Sequence, residues 1–345
     1  MAAPRPFRLS RLAGLATLAL AAFAGTHGAL AAGDKPVLTV YTYDSFSADW
    51  GPGPKITAMF EKTCGCVLKF VGLEDGVAIL NRLKLEGASS GADVALGLTT
   101  DLIPEAKATG LFVDSGTDLS AIEVPTGFTD PVFVPYDYSY LAVVYDTKAI
   151  KTPPTSLDAL VNGDPSVKIA IEDPRTATPG LGFLLWMKAI YGDQAKAKWE
   201  KLSDRILTVT PGWSEAYGLF TKGEVPMVLS YTTSPAYHEI EEHTDRYQAA
   251  PFEKGQYLQI EVAAALKGSQ HKKLARDFLA FMLSKDVQSI IPTTNWTLPV
   301  LPSVELPKEF QALPKVDHPI FIDPETVAKN REAWTQEWLQ AMGRR

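Results

Sequence analysis

Short apolar runs rich in β-branched residues alternate with amphipathic runs along most of this chain, and this alternation limits the folds open to it. The first series contains VLTVYTY (37–43), VLKFVGL (67–73) and ADVALGL (92–98), separated by helical patterns. A second series includes VKIAIED (167–173) and ILTVT (206–210). Strands that alternate with helices favour a parallel sheet covered by helices. The sequence therefore predicts an α/β protein.

Two long extended runs, 133–146 and 257–268, connect the two series. The chain is also longer than a single core usually supports, which favours two lobes. We predict one lobe from 33–139 together with 262–345, and a second lobe from 140–261. A hinge and a ligand cleft would lie between them.

The N-terminus has the pattern of a secretory signal peptide, which we assign to residues 1–31. Arg5, Arg8 and Arg11 precede the apolar run LAGLATLALAAFAG, and Ala29-Leu30-Ala31 fits a cleavage site near Ala31. This predicts a soluble periplasmic protein.

Cleavage would leave 30 basic and 40 acidic residues, a net charge of −10. That balance argues against nucleic acid as a partner and favours a neutral or cationic small molecule.

The sequence has two cysteines, Cys64 and Cys66, in a Cys-Gly-Cys arrangement. In an oxidising compartment they could form a local disulfide, but so small a loop strains the bridge, and both redox states stay open. The spacing is not one that usually binds metal, and we predict no metal site.

Two motifs that resemble enzyme signatures lack the required context. GASSG (87–91) matches a nucleophile elbow, but a helical pattern precedes it and a strand pattern follows, the reverse of what an elbow needs. HEIEEH (238–243) places its histidines five residues apart, whereas a zincin helix needs four. We interpret this second segment as a solvated acidic helix and predict that the protein is not an enzyme.

Aromatic and acidic side chains crowd the end of the first predicted strand, in YTYDSFSADWGPG (41–53). Ligands of α/β sheets bind at the carboxyl ends of the strands, so Tyr43 and Trp50 could face a cleft. The same rings could instead cap a core.

For the hinge between the lobes we predict Tyr138–Val143 and Ile260–Ala264.

Six stretches together resemble the periplasmic thiamine-binding proteins of bacterial ABC importers: YTYDSFSADWGPGP, LEDGVAILNRL, DPRTATPGLGFLLWM, TPGWSEAYGLF, LSYTTSPAYH and IPTTNW. The likeness covers nearly all of residues 35–345. It implies the two-lobed type II solute-binding fold, with a ligand cleft between the lobes. It also implies an inner-membrane permease as partner, a monomer, and no cofactor. The expected ligand is thiamine, thiamine monophosphate or thiamine diphosphate.

By motif position, the resemblance implies a set of ligand-binding residues drawn from both lobes. They are Tyr43, Trp50, Asp75, Gly76, Ala177, Thr178, Trp213, Tyr231, Thr232, Thr233, Ser234, Tyr237 and Trp296. Ala177 departs from related sequences that have serine there, so a hydroxyl contact to phosphate would be lost.

The chemistry of these residues suits the implied ligand. Thiamine is flat, aromatic and permanently cationic, and aromatic faces attract cations. Lysine is absent from YTYDSF, LEDG, PGWSEAY, YTTSPAY and PTTNW. Asp75 could pair with the cation or could simply be the N-cap of the helix that follows. Trp296 could stack on the ligand or fill a core.

Thr178-Pro179 and Ser234-Pro235 each place a hydroxyl residue before a proline, as at the start of a helix. The free N–H groups there could hold a phosphate, or the helices could simply be well capped.

Two other functions compete with this interpretation. A thiaminase-like enzyme would share the ligand but needs a cysteine in the cleft, and both cysteines here precede a strand at its amino end. A binding protein for another cation, such as a polyamine, fits loosely because aromatic and acidic residues are both present. Ferric ion fits poorly because no Tyr-Tyr pair occurs.

Overall fold

A computed structural model describes residues 35–343, so the predicted signal peptide (1–31) lies outside the described residues. Within them, no helix has the length and apolar composition needed to cross a membrane. The ten strands are β1 Val37–Tyr43, β2 Val67–Leu73, β3 Val94–Thr99, β4 Val134–Asp146, β5 Ile169–Glu172, β6 Ile206–Thr210, β7 Met227–Tyr231, β8 Tyr247–Ala249, β9 Leu258–Ala265 and β10 Leu298–Pro299. The α-helices are α1 Asp44–Ser47, α2 Gly53–Cys64, α3 Gly76–Glu86, α4 Ile103–Ala108, α5 Leu157–Asn162, α6 Thr178–Tyr191, α7 Ala195–Ser203, α8 Trp213–Thr221, α9 Ser234–Glu241, α10 Lys272–Met282, α11 Lys285–Thr294 and α12 Pro324–Met342.

The strands form one mixed sheet in the order β2-β1-β3-β9-β4-β7-β5-β6, with β8 and β10 also paired to β4. The prediction of a parallel sheet is correct for β1 with β2 and β3, and for β5 with β6 and β7. The two long extended runs, β4 and β9, lie outside the alternating series to which that prediction applied, and they pair antiparallel with all their neighbours in this order.

Strand β4 connects two sets of strands. Its first part, Val134–Tyr140, pairs with β9, and its second part, Leu141–Tyr145, pairs with β7. We call β1, β2, β3 and β9 the first strand set and β5, β6 and β7 the second strand set. The pairing partner changes between Tyr140 and Leu141, inside the predicted hinge segment 138–143. The lobe boundaries and the hinge motion stay predictions.

Apolar periodicity located most elements well. Strands β1 and β2 have the predicted bounds, because each is a continuous run of strand-forming residues. Helices α6 and α9 begin at Thr178 and Ser234 themselves, so Ala177 and Thr233 are the N-cap residues. The prolines then occupy the second helical position, where a missing N–H costs no hydrogen bond.

The central strands and helix α6 form the buried core. Every residue of β3 and β9 is buried, because each strand has neighbours on both edges and helices against its faces. Trp186 of α6 is 1% exposed and packs against Phe252, with the two ring centroids 5.2 Å apart. This rigid centre fixes the directions in which the strand ends point.

Cys64 and Cys66 are joined in a disulfide at the end of α2. Gly65 between them adopts a left-handed φ of 63°, which glycine tolerates without a steric penalty. The structure therefore places the two cysteines in the oxidised state that the sequence left open.

Candidate ligand-binding cleft

A cavity of about 630 Å³ lies where the carboxyl ends of both strand sets meet. Tyr43 ends β1 and Tyr231 ends β7, while Asp75 follows β2 and Trp213 follows β6. The cavity is lined by Tyr43, Ser45, Asp49, Trp50, Lys55, Asp75, Thr178, Trp213, Ser214, Tyr217, Gly218, Thr221, Tyr231, Ser234, Tyr237, Glu241, Glu242, Glu261, Thr293, Thr294, Asn295, Trp296 and Thr297. Its position agrees with the rule for ligand sites of α/β sheets.

The structure brings together most of the site residues predicted from the sequence. Those that line the cavity are Tyr43, Trp50, Asp75, Thr178, Trp213, Tyr231, Ser234, Tyr237 and Trp296. Gly76, Ala177, Thr232 and Thr233 do not line it. Gly76 is packed so closely that a Cβ there would lie 2.0 Å from the carbonyl oxygen of Gly97. Ala177, Thr232 and Thr233 are buried behind the wall.

One wall is built of aromatic rings from both strand sets. The Trp50 ring lies 6.4 Å from the Trp213 ring, and Trp213 stacks on Tyr217 at 4.6 Å. The indole N–H of Trp213 donates to Ser230 Oγ at 2.8 Å, which fixes the plane of the ring. Trp50 is 56% exposed, so a large apolar face is open at the cavity mouth. Tyr217 was not predicted, although it lies one helical turn after Trp213.

A second aromatic pair in the lining is Tyr237 and Trp296, whose rings meet edge to face with centroids 5.1 Å apart. Trp296 adopts a φ of 59°, a left-handed conformation that costs a residue with a side chain about 1–2 kcal/mol. Its backbone N–H still donates to the backbone carbonyl of Ile291. This hydrogen bond ends α11 and turns the chain. Trp296 is half-buried and faces the cavity rather than filling a core.

The floor of the cavity holds a carboxyl group that the sequence did not predict, Glu261 of β9. Tyr43 donates to its Oε2 at 2.7 Å, and Tyr136 donates to the same oxygen. Burial, with the nearby charge of Asp137, raises the pKa of Glu261 well above its usual value. The signal was present in the sequence, because Glu261 is the single acid in the strand LQIEVAAA.

A group of polar side chains beside Glu261, of which Asn295 and Thr297 also line the cavity, orients Tyr43. Asn295 Nδ2 donates to Asp137 Oδ2 at 2.6 Å and to the Tyr43 hydroxyl at 2.9 Å. Thr297 Oγ1 donates to the same Asp137 oxygen at 2.8 Å. The Tyr43 hydroxyl therefore accepts from Asn295 and donates to Glu261. Burial raises the pKa of Asp137 to about 7.

Asp75 serves as a cap for two helices at once. Its Oδ1 accepts from the N–H of Gly76 at 2.7 Å, and from the N–H and hydroxyl of Thr178 at 3.0 and 2.7 Å. The expectation that Asp75 caps the helix after it is correct. The same bonds place a carboxylate at the N-terminus of α6, where we expected phosphate could bind. Phosphate would have to displace it there.

Further hydrogen bonds join the two sides of the cavity. Ser214 Oγ donates to Asp44 Oδ1 at 2.8 Å, and the N–H of Ala78 donates to the carbonyl of Thr176 at 2.9 Å. With the Asp75–Thr178 bonds, they link segments that follow strands of the first set to segments that follow strands of the second. In this conformation, hydrogen bonds therefore connect the two sides of the cavity to each other.

Charged residues also form part of the cavity lining. Lys55, Glu241 and Glu242 all contribute to its lining. The quoted motifs contain no lysine, but Lys55 lies just after the first of them and reaches the same cavity. The site is therefore not free of lysine, although none lies beside Glu261 on the floor.

The two cysteines are not part of this site. Neither lines the cavity, and both are consumed in the disulfide, so no thiolate is available there as a nucleophile. This removes the residue that a thiaminase-like enzyme would need.

The HEIEEH segment is only partly a solvated helix. His238 is fully buried, between the Tyr217 hydroxyl at 2.8 Å and Glu242 at 2.7 Å. Burial lowers the pKa of His238. Within residues 35–343, no group of three or more histidine, cysteine or acidic side chains could hold a metal ion.

Several buried carboxyls make stability depend on pH. Burial raises the pKa of Asp101 and Asp137 to about 7, and it also raises the pKa values of Glu172 and Glu261 well above the usual value for glutamate. Between its unfolded and folded pKa, such a carboxyl keeps a proton in the folded state that the unfolded state has released. The free energy of unfolding should therefore fall as pH rises from 5.5 to 8. His238, with its lowered pKa, acts in the opposite direction but is a single group.

Asp101→Asn tests one of these groups. A folded pKa of about 7 corresponds to a loss of roughly 2 kcal/mol of stability between pH 5.5 and 8. Asparagine can still accept the 2.9 Å hydrogen bond from the Tyr257 hydroxyl, so the variant should fold and show a flatter pH profile in urea titrations. Asp118→Asn, at a surface position, should leave the profile unchanged. A wild-type profile that rises over this range would contradict the prediction.

Comparison with known proteins gives the family. The bacterial extracellular solute-binding protein family matches residues 55–318. The "Thiamine-binding periplasmic protein" of Brucella abortus is 57% identical over 97% of this chain and 100% of its own length. That of Escherichia coli K12 is 54% identical over 90% of this chain and 94% of its own. A solved "Periplasmic thiamin binding protein" superposes with a TM-score of 0.88, at 54% identity, over 89% of this chain and 96% of its own.

These likenesses confirm the resemblance found in the sequence and the two-lobed solute-binding fold. The relatives are named as binding proteins and not as enzymes, which places this chain among binding proteins as well. The chain belongs to the bacterial extracellular solute-binding protein family, together with the relatives named thiamine-binding periplasmic proteins.

Proposed function

We propose that this protein captures thiamine in the cavity and delivers it to the inner-membrane permease of an ABC importer. The observation that carries the proposal is the pairing of aromatic walls with a carboxyl floor. Trp213 and Tyr217 form one aromatic pair in the lining, Tyr237 and Trp296 form another, and the buried carboxyl of Glu261 lines the same cavity. A flat aromatic cation matches this arrangement in shape, ring character and charge.

The cellular setting of the proposal follows from the same interpretation. Export would depend on residues 1–31, with cleavage near Ala31, and the mature protein would act in the periplasm as a soluble monomer. It would need no cofactor. Contacts with both strand sets would let the ligand favour a closed arrangement of the lobes, which a permease could recognise.

Thiamine monophosphate and thiamine diphosphate should bind in the same cavity. Three helices begin with a residue that lines the cavity: α6 at Thr178, α8 at Trp213 and α9 at Ser234. Asp75 lies at the N–H groups of Thr178 and Trp213, so of these three the N-terminus of α9 is the one that Asp75 leaves free. One exposed helix N-terminus contributes about 0.3–1 kcal/mol to the binding of an anion. We therefore expect the dissociation constants of the three vitamers to agree within about tenfold.

Isothermal titration calorimetry of the mature protein with each vitamer tests the proposal. Spermidine serves as the control cation, because it has positive charge but no ring to stack between the walls. We expect saturable one-to-one binding of thiamine and none of spermidine. Tighter binding of spermidine than of thiamine, or no heat with any vitamer, would overturn the proposed function.

A further inference from the structure

Glu261 has one carboxylate oxygen that its surroundings satisfy and one that they do not. Oε2 accepts from the hydroxyls of both Tyr43 and Tyr136. Oε1 has a single long contact, 3.4 Å from Gln259 Nε2. That amide also donates to the Tyr231 hydroxyl at 2.9 Å. Since Glu261 lines the cavity, Oε1 retains the capacity to accept a strong hydrogen bond from a ligand.

No cation in the described part of the chain neutralises this carboxyl. Glu261 takes part in none of the ion pairs found among residues 35–343. The titratable groups around it come from several elements, and all are tyrosines or acids. They are Tyr43 of β1, Tyr136 and Asp137 of β4, Tyr231 of β7, and Asp75 before α3. A positively charged ligand with an N–H donor would supply what the protein does not.

This inference rests on the proposed function. We propose that Oε1 of Glu261 accepts a hydrogen bond from the exocyclic amino group of the thiamine pyrimidine ring, and that Glu261 thereby selects aminopyrimidine ligands over their oxo analogues. That amino group is the N–H donor of thiamine. The other hydrogen-bond donor of the molecule is its terminal hydroxyl. An ionised carboxyl can only accept, so a carbonyl at the same ring position would be repelled.

Binding then has a predictable dependence on pH. In its buried position Glu261 holds a proton more readily than an exposed glutamate does. It must release that proton to accept from the amino group, so thiamine should bind more tightly as pH rises from 6 to 8. A protonated carboxyl could instead donate to a carbonyl, so the oxo analogue should gain relative affinity at low pH.

The experiment compares thiamine with oxythiamine, which carries an oxo group in place of the amino group. Dissociation constants are measured by calorimetry for the wild type and Glu261→Gln at pH 8. The wild type should prefer thiamine by at least about tenfold, as expected for a charge-assisted hydrogen bond. Glutamine can turn its amide to donate, so the variant should bind the two ligands within about threefold of each other.

Glu172→Gln is the matched control. Glu172 is also a buried glutamate, with both carboxylate oxygens lacking a hydrogen-bond partner, but it does not line the cavity. Its substitution should leave the ligand preference as in the wild type. A preference in Glu261→Gln equal to that of the wild type would overturn the inference, even if thiamine binds both proteins. Failure of the wild type to bind thiamine would instead reject the proposed function.

The wild type alone provides a second test that does not depend on the folding of a variant. Its preference for thiamine over oxythiamine should narrow between pH 8 and pH 6. A preference that stays constant or widens over this range would also overturn the assignment to Glu261.

Discussion

Replacement of Trp296 by alanine is expected to weaken thiamine binding by ten- to about a hundredfold. Truncating an aromatic side chain that stacks on a flat ring costs about 1–3 kcal/mol, and a cation strengthens the interaction. Trp296 is held in place by its edge-to-face contact with Tyr237 at 5.1 Å and by the hydrogen bond from its N–H to Ile291. The ring is therefore already positioned before a ligand arrives.

Calorimetry of Trp296→Ala and of a matched tryptophan variant checks this prediction. Trp334 of α12 is also half-buried but does not line the cavity, so Trp334→Ala should leave the dissociation constant within about twofold. Trp296→Phe should recover part of the lost affinity because it restores a ring. An affinity of Trp296→Ala equal to that of the wild type would remove Trp296 from the binding site.

The substitution Gly97→Ala is expected to destabilise the protein by about 3 kcal/mol and also to weaken ligand binding. Gly97 has a φ of 105°, and it lies where the pairing of β3 with β9 shifts register. A Cβ there would approach the ring of Tyr43 to 2.4 Å. Tyr43 is buried and bonded to Glu261, so it cannot move without disturbing the cavity floor.

Gly110→Ala is the control that separates the steric clash with Tyr43 from the energetic cost of placing alanine at a positive φ. Gly110 also has a positive φ, 67°, but a Cβ there would meet no atom within 4 Å. Its substitution should cost about 1 kcal/mol and leave the affinity unchanged. Urea denaturation and calorimetry on both variants give the comparison. Equal destabilisation by the two substitutions would show that Tyr43 adapts to a Cβ at position 97.

Part of the cleft could be predicted from local sequence because of where the strands end. Tyr43 ends β1 and Trp50 follows it closely, and the carboxyl ends of parallel strands meet at one edge of a sheet. The resemblance added Trp213, Tyr231 and Trp296, and no local pattern would have separated Trp296 from a core residue. Its left-handed backbone depends on how α11 ends against the rest of the fold.

Other parts of the site depend on packing between distant segments. Asp75 and Thr178 are 103 positions apart, and their hydrogen bonds exist because the fold places two helix N-termini side by side. Tyr217 joins the wall because Trp213 begins α8 and one helical turn separates the two rings. In the sequence, Glu261 is a single acid within an apolar strand. Its position at the cavity floor depends on hydrogen bonds from the hydroxyls of Tyr43 and Tyr136, which lie on other strands.

By itself, the sequence determined which segments become strands and helices, and which side chains stand at the strand ends, because apolar period and backbone propensity act between near neighbours. The tertiary structure decided that β4 and β9 run antiparallel to their neighbours, that Asp75 caps α6, and that Glu261 is a buried acid lining the cavity. Strand direction, burial and the sharing of hydrogen bonds between distant residues are set by contacts that no local pattern encodes.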